Sequence, residues 1–117
     1  MVATTTASKK NKGRRLQQMI RDMLLEKYNE LELGDLESRG MGQAGTDIVM
    51  SPLAKKHIKF DIEAKNQESI SIWKCIEQAE ANGGDDRIPL LIFKRSRSKI
   101  YCCLEFKKLL DIIDNFK

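Results

Sequence analysis

The sequence predicts a small, single α/β domain of three α/β/α layers, with helices on both faces of a central mixed sheet and elements in the order αββαββα. Three observations predict it. Apolar residues recur at three- and four-residue spacing near both ends of the chain and once in its middle, the mark of amphipathic helices. Two short β-like runs precede the middle helix and two follow it, and helices before, between and after strands pack as layers on a sheet. The chain has 117 residues, enough for one core without staples.

The opening "MVATTTASKKNKGRR" is Ser/Thr-rich, basic and free of acids, and residues 1–12 read as a disordered basic arm ahead of a domain over 13–117. It has something of a transit peptide's composition but lacks the apolar segment of a secretory signal. From Gly13, Leu16, Met19, Ile20, Met23 and Leu24 mark the first helix, through about Tyr28 to Leu31. "GDLESRGMGQAG" contains four glycines and reads as a long loop over Gly34–Gly45. "TDIVM" is a short strand, "SPLAKKH" turns the chain back, and "IKFDIEAK" is a second strand expected to pair with the first as a hairpin. Ser69 or Ser71 caps a helix running to about Asn82 with Ile72, Cys75, Ile76 and Ala79 buried, and Gly83 suits its end. "RIPLLIFKR" is nearly continuous in apolar residues, as an interior strand covered on both faces should be. "SRS" turns into "KIYCCLE", and the last helix, Glu105–Phe116, carries Phe106, Leu109, Leu110 and Ile113 on one side.

The composition, 41% hydrophobic and 32% charged, is that of a soluble globular protein. No apolar run approaches the roughly 18 residues that span a bilayer. Net charge is +4 with a pI near 9.0, a modest lean toward polyanions. Cys75, Cys102 and Cys103 are odd in number and form no CxxC pair, which argues against a disulfide framework or a zinc site and for a reducing, cytoplasmic setting.

The strand "FDIEAKNQ" alternates, so Asp61, Glu63 and Lys65 share one face while Phe60, Ile62 and Ala64 share the other. Such a face is either solvated or a site. Asp47 begins the preceding strand, and a hairpin would bring it beside Glu63. Two carboxylates that close need a positive partner, and Mg²⁺ supplies one, taking oxygen ligands while keeping water. The backbone carbonyl of Ala64 is a further oxygen, and Lys65 on the Glu63 face can position a water or stabilise charge on a phosphate.

"GTD", "IEAK" sixteen residues later and "IEQAE" in the next helix together resemble the PD-(D/E)xK nuclease superfamily. Within it, the order of elements and "DIEAKNQ…SIWKCIEQAE" are most similar to archaeal and phage-type Holliday junction resolvases, over about Gly13 to Leu104. The resemblance implies a metal-dependent DNA endonuclease acting on four-way junctions or other branched DNA, as a homodimer, in the cytoplasm of a prokaryotic or phage-infected cell. It implies Mg²⁺, with Mn²⁺ as a substitute, held by Asp47 and Glu63, to which the Ala64 carbonyl above adds an oxygen, with Lys65 as the catalytic lysine and Gln78 as the helix glutamine that arranges the site or touches DNA. Archaeal relatives carry a metal-site glutamate on the first helix where "KGRRLQQ" here puts Gln17 or Gln18. Gln17 is thus an accessory that can orient a water but brings no charge, which favours one metal ion over two. Ser38 and "RGMGQ" match the family's flexible loop only loosely.

Lys9, Lys10, Lys12, Arg14 and Arg15 put five basic residues within seven, as in a phosphate-contacting arm or a solubilising tail. "KRSRSK" supplies Arg95 and Arg97 at a hairpin tip, and Lys74 sits four residues before Gln78 on one helix flank. All eight are candidate DNA contacts. The lone histidine, His57, lies in a turn and reads as exposed rather than catalytic. A non-catalytic nucleic-acid-binding protein on the same fold, and a nuclease that cuts duplex or flap DNA, are the competing functions.

Overall fold

The computed structural model describes residues 6–40 and 45–115. The elements are α1 (Thr6–Lys27), a 3-10 turn (Leu33–Asp35), β1 (Leu36–Ser38), β2 (Ile48–Met50), α2 (Pro52–His57), β3 (Phe60–Asn66), α3 (Ile72–Asn82), β4 (Ile88–Lys94), β5 (Tyr101–Cys103) and α4 (Phe106–Asp114). The domain is α/β, as expected, with β1 and α2 added to the expected order. β3 and β4 are parallel, β4 and β5 antiparallel, so β4 is the interior strand of a mixed sheet. The "SRS" turn joins β4 and β5 as the hairpin expected of it.

Strand alternation sorts the two faces. Ile62, Ala64 and Leu90 join Leu16 and Ile20 of α1 in the main core, together with Leu36, Ile48, Ala54 and Ile58 from the segment between. The opposite face, bearing Leu91, is covered by α3 through Cys75 and Ala79. The sheet therefore lies between α1 and α3. On α1 the buried stripe is Leu16, Gln17 and Ile20, while Met19 and Met23 are exposed.

Three differences from expectation have local causes. β2 does not form a hairpin with β3; it pairs antiparallel with β1, Leu36 opposite Met50 and Ser38 opposite Ile48. "SPLAKKH" is not a bare turn but α2, since Ser51 accepts a hydrogen bond from Ala54 N–H as N-cap and Pro52 stands at the first helical position, where its missing N–H is no loss. Six helical residues then carry the chain away, leaving β2 to pair with the short strand inside the glycine-rich segment. Lastly, α1 begins at Thr6 rather than Gly13, so Lys9, Lys10 and Lys12 stand on a helix. Residues 1–5 of the expected arm, and Met41–Ala44 of the expected loop, lie outside the described residues.

Gly83 ends α3 with φ −80°, so it serves there by closeness rather than by left-handed backbone. A Cβ at Gly83 would lie 3.3 Å from the Ala79 carbonyl. Among the described residues the left-handed glycine is Gly45, φ +102°, packed on the Arg39 guanidinium.

Candidate active site

The free edge of β3 builds the site. Asp47, just before β2, donates its backbone N–H to the Ile62 carbonyl at 2.9 Å, and its Oδ2 accepts the Ala64 N–H at 2.6 Å. N–H and C=O of one strand residue point to the same side, so the Ala64 carbonyl also faces this edge. Glu63, one residue earlier, turns toward α3 and is only 2% exposed. Both of its carboxylate oxygens are buried without a hydrogen-bond partner.

Burial raises the carboxyl of Glu63, and the neighbouring Asp47 charge raises it further, to about 7, against the opposing pull of Lys65 and the Asn82 side chain. Burial also raises Asp47, offset by the Ala64 N–H and by the charges of Lys65 and Arg39. Lys65 thus acts on both acids, yet among the described residues it forms an ion pair with neither. A buried carboxyl, Glu63, beside a half-buried one, Asp47, with a carbonyl at the same edge and an ammonium alongside, is a donor set that could hold a hard divalent cation. Among the described residues no cluster of three acids, histidines or cysteines forms, so the set is one of two carboxylates.

The model of the family described as "Phage putative PDDEXK endonuclease" matches residues 8–117. The chain belongs to that family. Membership places it in the PD-(D/E)xK superfamily and indicates a nuclease acting on DNA. Searches of curated proteins and of solved structures found no match.

Around the acids of this PDDEXK protein, the other expected residues fall into three groups. Gln17 is 2% exposed on α1 and accepts the Ser38 hydroxyl at 2.9 Å. Ser38 precedes Arg39, whose N–H donates to the Asp47 carbonyl at 2.8 Å, so the first-helix amide is tied to the segment that holds Asp47. Gln78 and Lys74 are exposed on α3, on the flank that ends one turn later at Asn82. Asp61, on the Glu63 face, is drawn away: it bonds Gly84 N–H at 2.7 Å and pairs with Arg87, whose guanidinium also donates to the carbonyls of Ile58 and Phe60.

The basic residues form the third group. Lys9, Lys10, Arg14 and Arg15 are exposed on α1, and Arg95 and Arg97 are exposed in the β4–β5 turn. Lys12 differs, because its ammonium bonds Glu68 and the Ser96 hydroxyl, both at 3.1 Å. Its carbonyl accepts the Asn66 amide at 3.1 Å. Lys12 therefore fastens the two basic clusters together beside the end of β3, close in the chain to Lys65. His57 ends α2 and meets the Tyr28 ring at 6.0 Å. Sequence reasoning missed Arg39 and Asn82. Arg39 lies among glycines, with no periodicity to mark it. Asn82 reads as a helix stop before "GG", though its i,i+4 spacing from Gln78 was a usable signal.

Proposed function

We propose that this PDDEXK protein is a metal-dependent endonuclease that hydrolyses phosphodiester bonds in branched DNA of the four-way-junction type, as a homodimer. The observation that carries the reading is Glu63, a carboxylate buried with both oxygens unpartnered beside a second, half-buried acid, Asp47. Such an arrangement is costly on its own and makes sense around a cation. Asp47, Glu63 and the Ala64 carbonyl would hold one Mg²⁺, with Mn²⁺ as a substitute, and the ion would supply Lewis-acid charge to the scissile phosphate and its attacking water. Asp47 is held by the Ala64 N–H, leaving its other oxygen for the ion. Lys65 orients the attacking water and offsets charge that grows on the phosphate. Gln17, through Ser38, and Asn82 orient their neighbours without adding charge, and Gln78 and Lys74 reach along α3 toward the DNA strand.

The exposed cations of α1 and of the β4–β5 turn, joined by Lys12, supply the phosphate contacts. Cutting both strands of a branch needs two sites related by a two-fold axis. The α4 face supports a second copy as partner, because Phe106, Leu109, Leu110 and Ile113 are each at least 37% exposed. The test is incubation with labelled four-way junction, flap and matched linear duplex in Mg²⁺ or EDTA. Cleavage confined to the junction in Mg²⁺ is expected. Equal cutting of duplex would overturn branch selectivity, and binding without any metal-dependent cutting would leave a non-catalytic binding protein.

A further inference from the structure

We propose that the cavity between β5 and the β3–α3 connection receives one unpaired nucleobase of the bound DNA, stacked on Tyr101. The inference rests on the DNA-binding half of the reading above and narrows its substrate to DNA with a nucleotide that can leave the stack. The strand register aligns Lys65 with Phe93 and Phe93 with Tyr101, so the three side chains form one row across the sheet on the Glu63 face. At the usual strand spacing, Tyr101 stands roughly 10 Å from Lys65, a distance of one to two nucleotides along a strand. The Phe93 and Tyr101 rings are 6.3 Å apart and inclined at 32°. Tyr101 is 55% exposed, which is a large apolar surface to leave open at the end of a strand.

Those rings line a cavity of about 260 Å³ whose other walls include Ile70, Gln67, Lys94 and Arg95. Its chemistry is that of a base site. Aromatic faces and an aliphatic wall accept a flat heterocycle, an amide can meet its hydrogen-bonding edge, and two cations on the rim suit the flanking phosphates. The acid in the lining, Glu68, is already paired with Lys12 Nζ at 3.1 Å and accepts the Ser96 N–H at 2.7 Å. The cavity is below the roughly 300–1,000 Å³ range of most ligand pockets and suits one ring system rather than a larger molecule. A paired base inside a duplex does not reach it; one at a branch, where stacking is already interrupted, leaves the helix at lower cost.

The experiment measures binding in EDTA, so its outcome does not depend on cleavage. Branched DNA, the same DNA with a single abasic nucleotide scanned across the branch, and matched duplex are titrated with wild type, Tyr101→Ala and Tyr101→Phe. Wild type should lose roughly 5- to 150-fold in affinity when the abasic nucleotide occupies one particular position, the size of a single base–aromatic stack. Tyr101→Ala should show a similar loss with the intact base and no further loss with the abasic one, while Tyr101→Phe and all duplex affinities stay unchanged. An abasic scan that is flat for wild type overturns the base site even if Tyr101→Ala does not fold. A Tyr101→Ala loss that is equal on branched, abasic and duplex DNA overturns it as well. Metal-dependent cutting with a flat scan would leave the nuclease reading standing alone, and a position-specific loss without cutting would do the reverse.

Discussion

Burying Glu63 with both oxygens unpartnered sets its acid–base behaviour before any substrate arrives. Its carboxyl titrates near 7 in the folded, metal-free protein and at the ordinary 4.5 in the unfolded chain. Between those values the folded state holds a proton that the unfolded state has lost, so stability contributed by this group is fullest below pH 4.5 and declines as pH rises through 7. Urea unfolding in EDTA at about pH 5 and about pH 8 should show that decline, and Glu63→Gln should flatten it; equal slopes for both proteins would contradict the buried, repelled carboxyl. For activity, Glu63→Gln and Asp47→Asn should each lower cleavage on the order of 10²-fold or more while DNA binding survives. An asparagine oxygen can still accept the Ala64 N–H, so the fold at that edge is kept. Lys65→Ala should abolish most cleavage with Mg²⁺ affinity retained, and Lys65→Arg should not restore it, because a planar, permanently charged guanidinium does not replace a compact ammonium. Wild-type cleavage by Lys65→Ala would mean that the strand alternation alone, and no chemistry, put that lysine there.

At the level of elements, two clasps hold the site in place. The Arg87 guanidinium bridges Asp61, the end of α2 and the start of β3, with both side chains of the pair mostly buried. Arg87→Met should cost about 3 kcal/mol or more in chemical denaturation, since it strands a buried carboxylate; a loss under about 0.5 kcal/mol, as at an ordinary surface site, would show that the clasp is idle. The second clasp, Lys12 with Glu68 and Ser96, docks α1 on the β4–β5 turn. Hydrogen bonds from Ser96 and from Lys12 pull the Glu68 carboxyl down to about 2. The cations available to meet phosphates on α1 are therefore Lys9, Lys10, Arg14 and Arg15 rather than Lys12. Their replacement by alanine should flatten the dependence of log K on log salt by about 0.9 for each phosphate no longer neutralised, with the cleavage rate at saturating DNA nearly unchanged. An unaltered salt slope would make the α1 cations a solubilising face.

The whole molecule leaves one amphipathic helix with its apolar side open. α4 follows the edge strand β5, and Trp73 on α3 is 73% exposed across a groove that also includes Ile76, Leu104 and Lys108. If that surface joins two copies, light scattering should find a dimer for wild type and a monomer for Phe106→Glu combined with Leu110→Glu. The monomer should still nick DNA, because Asp47, Glu63 and Lys65 all belong to one chain, but paired cuts at a junction should disappear. A monomeric wild type would remove α4 as the interface.

Much of this was legible in the sequence because it depends on local geometry. Period-2 alternation put Glu63 and Lys65 on one face of β3, three- and four-residue spacing marked α1, α3 and α4, and the unbroken apolar run of β4 announced an interior strand. What those patterns do not contain is the choice of partner. Alternation assigns Asp61, Glu63 and Lys65 to one side but does not say that α3 covers it, nor that Arg87 takes Asp61 out of the constellation. The resemblance singles out Asp47 and an expected hairpin brings it beside Glu63, but the route differs: it reaches the Glu63 strand through hydrogen bonds along the free edge of β3 and not through a hairpin, because β1 claims β2. Arg39 and Asn82 likewise act on the acids only once distant segments have packed together. The backbone's own period fixes which way a side chain points. Which neighbour it then meets, and whether water is excluded there, is decided by contacts between residues far apart in the chain.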